Sequence, residues 1–160
     1  MGVTKKTSWS VVVLAMVLVP SFAWAEEAAS PSTQPSLYER LGGLAPISVV
    51  VSDFIDALVP DATLNENPDI AAARSRVPAS YLKYQVTALV CEVTGGPCKY
   101  SGRNMKESHA HLHITGAEWD RMATIFEQIL DRYAVPEAEQ QELFAVVGST
   151  KADIVMPTDE

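Results

Sequence analysis

Apolar residues recur at helical spacing in four stretches of the chain. Within each stretch they lie three or four positions apart, which places them on one face of an α-helix. The four apolar faces consist of Ile47, Val50, Val51, Phe54 and Leu58; Leu82, Val86, Leu89, Val90 and Val93; Trp119, Met122, Ala123, Phe126, Leu130 and Tyr133; and Leu143, Val146 and Val147. No stretch of the sequence alternates in the manner of a strand bounded by turns. The pattern therefore predicts an all-α fold with four main helices and short accessory ones.

Local signals indicate where several helices begin. Pro46 is well placed at a helix start, and Thr115 with Glu118 forms a capping-box pattern, so a helix is predicted directly after residue 115. The polar stretch Asn104–His109 is predicted to form a short helix, and Asp69–Arg76 a short helical turn. The histidine-rich stretch at 109–113 thus lies between two helices.

The N-terminal segment has the pattern of a secretory signal. Lys5 and Lys6 precede the apolar run Trp9–Pro20, and small residues at Ala23 and Ala25 offer a cleavage site. The run is short for a membrane span, although an uncleaved anchor is the alternative. We therefore predict a signal peptide at 1–25 and an exported protein, periplasmic or extracellular. A flexible leader at 26–36, one domain at 37–156 and a tail at 157–160 follow.

Charge narrows the choice of partners. The whole chain has 12 Lys and Arg against 20 Asp and Glu, a net charge of −8. Cleavage after residue 25 would remove two lysines and no acids, which leaves ten basic residues against twenty acidic ones. An anionic surface of this kind repels nucleic acid and anionic lipid. We expect neither nucleic acid nor, after cleavage of the signal, a membrane as a partner.

Two cysteines, Cys91 and Cys98, are separated by seven positions. Along a continuous helix this separation is about 10.5 Å, too far for a disulfide. The Gly95-Gly96-Pro97 stretch between them could fold the chain back, so the sequence leaves the pairing open. No Cys-x-x-Cys-His pattern for covalent attachment of a cofactor is present.

All three histidines of the chain, His109, His111 and His113, lie within five residues. In an extended loop this spacing could hold zinc or copper, but on a helix residues two apart face nearly opposite directions. Because the Thr115 cap divides the cluster between a short helix and a loop, a triple metal site is disfavoured. His109 alone, at the end of its helix, could serve as a single axial ligand of a haem iron. A polar loop histidine is the other reading, which we prefer for His111 and His113.

Several motifs together resemble the group I truncated haemoglobins. They are Leu37-Tyr-Glu-Arg-Leu-Gly-Gly43, Phe54, Gly95-Gly-Pro97, Tyr100-Ser-Gly-Arg-Asn-Met-Lys106, His109, Ile114-Thr115 and Trp119. The resemblance extends over about residues 36–154. It implies a two-over-two helical sandwich around noncovalent haem b, with His109 as the proximal iron ligand.

The resemblance also implies which other side chains contact the haem. The expected haem-binding set is His109, Phe54, Leu82, Val86, Met105, Lys106, Ile114, Trp119 and Met122. Lys106 and Arg103 could pair with haem propionates at the rim, as could the hydroxyl of Tyr100. The expected ligand is a diatomic gas: oxygen, nitric oxide or carbon monoxide.

The expected distal side departs from the family. The family commonly has Tyr directly after the Phe of its second helix, whereas Phe54 is followed here by Ile55. Counting back from Gly95 and Gly96 puts Leu82 and Val86 at the other two distal positions. The family commonly has glutamine at the position of Val86. Gln85 is then the best remaining hydrogen-bond donor, ahead of Tyr81 and Tyr84, which we expect on a solvated or interhelical face. The chain also has several extra residues between Pro60 and Pro78.

The expected function is therefore gas binding by an exported haem protein. Nitric oxide dioxygenase-like or peroxidase-like side activity is compatible with the same proximal histidine and would require an electron donor that the sequence does not identify. Two alternatives belong to other classes: a haem-free helical interaction scaffold, and a metal binder that uses all three histidines.

Overall fold

The computed structural model describes residues 1–2 and 34–157. Most of the predicted signal peptide, leader and tail lies outside the described residues. The described helices are α1 (Leu37–Arg40), α2 (Leu44–Leu58), α3 (Ala62–Asn65), α4 (Pro68–Arg76), α5 (Ala79–Val93), α6 (Met105–His109), α7 (Gly116–Arg132), α8 (Glu137–Gly148) and α9 (Lys151–Ile154), with a 3-10 turn at Ala110–Leu112. Extended chain is paired within this part of the protein only by an isolated parallel bridge between Ile114 and Val155. The all-α prediction is confirmed.

Side-chain caps determine where several helices begin. The Thr115 side chain accepts from the Glu118 amide and the Glu118 carboxylate accepts from the Thr115 amide, so the predicted capping box starts α7. The Asn104 side chain accepts from the Glu107 amide at 2.8 Å and starts α6. Helix α2 begins two residues before Pro46, which lies in the first turn, where a missing backbone N–H removes no helical hydrogen bond.

Helix α2 is the centre of the core because it packs against both α5 and α7. Its buried residues Ile47, Val51 and Ile55 form one apolar cluster, on which Leu82 and Val86 of α5 pack. A second cluster joins Leu37, Leu130 and Leu143. Edge-to-face contacts link the two regions, with ring centroids 5.4 Å apart for Phe54 and Phe126 and 5.2 Å apart for Phe126 and Phe144.

The segment between Pro60 and Pro78, where the sequence predicts several extra residues, contains α3 and α4, which polar contacts hold against the main helices. Arg121 of α7 donates to Asp61 at 2.7 and 3.1 Å. The Arg74 guanidinium donates to the carbonyls of Leu58 and Val59, which end α2. The two Arg74 contacts satisfy carbonyl groups of the kind that the last turn of a helix leaves without a helical partner.

The Asp61–Arg121 pair should make stability depend on acid. The hydrogen bond from Arg121 is the main cause that holds the pKa of Asp61 below its usual value, against an opposing effect of burial. The pair therefore stabilises the fold at neutral pH and is lost as the pH falls through the folded-state pKa, below about 4. Asp61→Asn keeps the cap of α3 but weakens the pair. We expect its Tm at pH 7 to fall by a few degrees, and the difference from the parent to shrink at pH 3.

Asp120→Asn on α7 is the matched control for this measurement, because the Asp120 side chain is 74% exposed and pairs with Lys151 only at 3.4 Å. Thermal unfolding followed by circular dichroism at pH 7 and pH 3 reads both variants. A pH-independent difference between Asp61→Asn and the parent would contradict the assignment.

Cys91 and Cys98 form a disulfide, which settles the pairing that the sequence leaves open. Their Cα atoms are 5.7 Å apart because the chain reverses between them. Gly95 has a φ of +90°, and the Gly96 amide donates to the Cys91 carbonyl at 2.7 Å. A Cβ at Gly96 would collide with the Tyr38 ring and with that carbonyl. The glycines thus make the turn that brings the two sulfurs together.

Within the described residues, no helix combines the length and the apolar character that crossing a membrane requires.

Candidate functional site

His109 is the last residue of α6 and is half-buried. Its Nδ1 lies 2.8 Å from the carbonyl oxygen of Met105, one turn earlier. A carbonyl can only accept, so Nδ1 must carry the proton and the lone pair of Nε2 is free. Burial lowers the pKa of His109; the Met105 contact opposes this effect, and nearby His111 and Arg103 add to it. The ring is therefore a neutral imidazole held in the tautomer that coordinates a metal through Nε2.

The other two histidines have different surroundings. His111 and His113 are both exposed. His113 donates from Nδ1 to the Asp69 carboxylate at 2.7 Å and has left-handed backbone angles, with φ 48° and ψ 45°. In the part of the chain that the structure describes, no three His, Cys, Asp or Glu side chains are grouped as a metal ion would require. The geometry gives no support to a site built from all three imidazoles.

An apolar cavity of about 490 Å³ lies between α2, α5, α7 and α8. Three residues of the predicted haem-binding set line it: Phe54, Val86 and Met122. Most of its other walls were predicted only as core, because a helical stripe does not distinguish a packed wall from the wall of a cavity; they include Ile47, Val50, Val51, Val90, Phe126, Leu130, Leu143, Val146 and Val147. The volume falls within the range of small-molecule pockets.

The remaining residues of the predicted set are not part of this cavity lining. Ile55 is only 3% exposed and lies inside the α2 cluster, with Leu82 packed against it. Trp119 is 7% exposed at the start of α7. Met105 and Ile114 are half-buried on either side of His109 in the sequence, and Lys106 is exposed on α6.

Gln85 on α5 carries a polar group that lacks a partner. Its Nε2 donates to the Tyr81 hydroxyl at 3.0 Å, while its Oε1 is fully enclosed and makes no hydrogen bond within the described residues. A half-turn of the amide would let the Tyr81 hydroxyl donate to Oε1 and would direct the N–H groups to the enclosed side. A buried amide without a partner is costly, which makes Gln85 a candidate to contact a ligand.

Polar residues connect this side of α5 to the start of α6. The Tyr100 hydroxyl donates to the Arg103 carbonyl at 2.7 Å. Burial is the main cause that raises the pKa of Tyr100, with Tyr81 adding to it and the Arg103 charge opposing it. The Arg103 charge also lowers the pKa of His109. Gln85 thus contacts Tyr81 on α5, and Tyr100 contacts the Arg103 backbone just before α6.

These side chains fit a haem in two respects. His109 is a neutral imidazole with a free Nε2, and α2, α5 and α7 supply walls of an apolar cavity, although His109 is not among the residues that line it. Helix α6 packs against α9 and the 3-10 turn, whereas α5 packs along α2. The departure is on the expected distal side, where Ile55 is a buried hydrocarbon and cannot donate a hydrogen bond.

Comparison with known proteins identifies relatives that agree with the resemblance seen in the sequence. Residues 36–156 match the profile of the family described as bacterial-like globin. The chain is 30% identical over 121 residues to the group 1 truncated hemoglobin GlbN of Synechocystis sp., covering 71% of this chain and 90% of that protein. It is 23% identical to the group 1 truncated hemoglobin LI410 of Chlamydomonas moewusii, covering 78% and 71%.

Solved structures show the same fold. The Fe(III) form of truncated hemoglobin from Tetrahymena pyriformis superposes with a TM-score of 0.67 at 22% identity, over 77% of this chain and 100% of that one. The 2/2 hemoglobin of Synechococcus sp., in the cyanomet state and with covalently attached heme, gives a TM-score of 0.67 at 23% identity, over 76% and 98%. The predicted two-over-two helical sandwich is confirmed.

Proposed function

The chain belongs to the bacterial-like globin family, and on this premise we propose that Nε2 of His109 would hold the iron of a haem, which would supply the binding site for a diatomic gas. Truncated globins bind haem, and the family points to haem-based gas binding. The observation that carries the residue assignment is the 2.8 Å contact between His109 Nδ1 and the Met105 carbonyl. It fixes the tautomer and orients the ring, as a second-shell partner does for metal-binding histidines.

The remaining wall residues have simple roles in this proposal. Phe54, Met105, Ile114, Trp119 and Met122 exclude water from an apolar ring system, and burial of apolar surface contributes most of the binding free energy. Lys106 and Arg103 are cations near the rim and would pair with the propionate groups. The haem, when bound, supplies the iron that binds the gas. No pattern for thioether attachment is present in the sequence, so the proposed cofactor is noncovalent haem b.

The distal side determines which gas is held. Ile55, Leu82 and Val86 offer only hydrocarbon, whereas Gln85 offers an amide. Dioxygen gains negative character on binding and is stabilised by a donor far more than carbon monoxide is. We assign Gln85 as that donor, with its amide turned by a half-turn so that Nε2 faces the enclosed side and Oε1 accepts from the Tyr81 hydroxyl. One donor among apolar walls suits a readily released gas ligand better than tight oxygen storage, and it is compatible with nitric oxide.

We also propose export to the periplasm or beyond. The signal pattern at 1–25 and the Cys91–Cys98 disulfide both support an oxidising compartment. Any nitric oxide dioxygenase-like or peroxidase-like turnover there would need a separate electron donor.

A haem titration tests the proposal. The purified protein is mixed with haemin, reduced, and exposed to carbon monoxide while the absorption spectrum is followed. We expect stoichiometric uptake, a sharp Soret band and a shift of that band with carbon monoxide. Apomyoglobin is the positive control, and serum albumin shows what adventitious binding looks like. Weak, unsaturable uptake like that of albumin would contradict the proposal and favour a haem-free helical scaffold.

A further inference from the structure

The loop that follows His109 is held by side chains of α4. Asn67, which caps α4, is 9% exposed and donates from Nδ2 to the Leu112 carbonyl at 2.9 Å. Its Oδ1 accepts from the amides of Asp69 and Ile70 at 2.9 and 3.3 Å. The buried Asn67 amide therefore both starts α4 and fixes a carbonyl three residues after His109. The position of this loop thus depends on the position of α4.

A second contact joins the same two segments. The Asp69 carboxylate accepts from His113 at 2.7 Å. His113 has a positive φ, which is unfavourable for a residue with a side chain and persists where surrounding contacts hold it. The contact with Asp69 is one of those that hold it, so α4 also stabilises the sharp reversal that separates the 3-10 turn from α7.

The opposite side of the loop is fixed as well. The Met156 amide donates to the Ile114 carbonyl at 2.9 Å, next to the bridge between Ile114 and Val155. Helix α9 packs against α6 itself. With the chain held on both sides, a change in one contact would shift the loop rather than let it move freely.

Helix α4, which contacts the loop, is itself held against the end of α2. Arg74, near its C-terminus, donates to the Leu58 carbonyl at 2.8 Å and to the Val59 carbonyl. The preceding α3 is tied to α7 through Asp61 and Arg121. The segment that contains α3 and α4 thus connects the end of α2, the helix that carries Phe54 and Ile55, to the loop after His109.

We propose that Asn67, assisted by Asp69, is a positioning residue for His109: by fixing the Leu112 carbonyl it sets the orientation in which the imidazole meets the iron. This inference rests on the proposed function, because it assumes His109 as the ligand. It adds that the segment between Pro60 and Pro78, where the sequence predicts several extra residues, belongs to the support of the proximal ligand.

Asn67→Asp is the informative variant, because the carboxylate still accepts from the α4 amides but cannot donate to the Leu112 carbonyl. The readout is the iron–histidine stretching band in the resonance Raman spectrum of the ferrous protein. We expect the band to move to lower frequency or broaden. Haem loss to an excess of apomyoglobin should be faster by about tenfold, the scale on which supporting contacts of metal ligands act.

Gln140→Glu on α8 is the matched control. Gln140 donates from Nε2 to the Asp131 carboxylate at 3.0 Å and to the Val135 carbonyl at 2.9 Å, so the same amide-to-carboxylate exchange removes two hydrogen bonds that lie outside both the segment between Pro60 and Pro78 and the loop after His109. We expect its Tm to fall and its iron–histidine band to stay in place. An unchanged band in Asn67→Asp, or an equal shift in both variants, would overturn the proposal.

Two further results separate the possible failures. If the parent protein gives no iron–histidine band that depends on His109, the proposed function fails and the inference falls with it. If the parent gives the band and Asn67→Asp does not fold, Asp69→Ala, which leaves the cap of α4 intact, carries the test. A smaller shift in the same direction in Asp69→Ala would support the positioning role, and an unchanged band would refute it.

Discussion

Replacing His109 by alanine is expected to abolish stoichiometric haem binding. His109 is the half-buried imidazole whose Nδ1 is engaged by a carbonyl and whose Nε2 is free. Loss of a contact that merely supports a metal ligand costs roughly 10- to 100-fold in affinity, and loss of the ligand itself should cost more. The measurement is a haemin titration of parent and variant, read from the Soret band and from the band shift with carbon monoxide.

The double variant His111→Ala/His113→Ala is the control for this experiment, because both rings are exposed and His113 already donates to Asp69. We expect it to bind haem stoichiometrically, with the same small shift of the iron–histidine band as Asp69→Ala, because it removes the same contact. If it lost haem as completely as His109→Ala, a site built from all three histidines would be the better account. Imidazole added to His109→Ala should restore part of the spectrum if the cavity is intact.

Replacing Gln85 by leucine is expected to speed oxygen dissociation by about tenfold, the rate equivalent of one hydrogen bond of about 1.4 kcal/mol. Leucine has nearly the volume of glutamine and removes the enclosed amide, which has no partner for Oε1 within the described residues. Carbon monoxide, which gains little negative character, should dissociate at nearly the parent rate. Stopped-flow displacement of each gas gives the two rates.

Tyr84→Phe on the same helix is the control, since Tyr84 is 66% exposed and we expect neither rate to change. The carbon monoxide stretching band offers an independent reading, because a donor near the ligand lowers its frequency. Equal oxygen dissociation in Gln85→Leu and the parent would show that the distal side acts as an entirely apolar wall, and the assignment of Gln85 would be withdrawn.

The sequence predicts what depends on neighbours along the chain. The capping box of Thr115 and Glu118 and the cap at Asn104 are complete within four residues, so α7 and α6 could be placed before the structure was known. Four apolar stripes were enough for the main helices. The resemblance then supplied the arrangement of those helices, which periodicity alone does not contain.

What the sequence could not predict depends on residues far apart. The contact between Asn67 and Leu112 spans 45 positions, and no local pattern marks either residue as its member. The sequence predicts several extra residues between Pro60 and Pro78 but not the contacts that they make. Whether Cys91 and Cys98 pair likewise depended on the backbone angles at Gly95, which a residue type permits but does not dictate.

The sequence also could not predict which atom of the Gln85 amide is enclosed. A shift of one position turns a helical side chain by about 100°, so the sequence could name Gln85 as a candidate without saying which atom would be buried. The structure identifies Oε1 as the enclosed atom and Tyr81 as the partner of Nε2. It also leaves Tyr81 and Tyr84 exposed, in agreement with the interpretation favoured from the sequence.

The Cys91–Cys98 disulfide gives the chain a second covalent path around the turn between α5 and α6. Gly95 and Pro97 are exposed within the loop that the disulfide closes, so a protease could cut there while α5 and α6 stay folded. The cut would produce two polypeptides and still one molecule. The fragment that ends after α5 and the fragment that begins before α6 would separate only when the protein is both denatured and reduced. In a denaturing gel, the cleaved protein would therefore migrate near the position of the intact chain until a thiol is added.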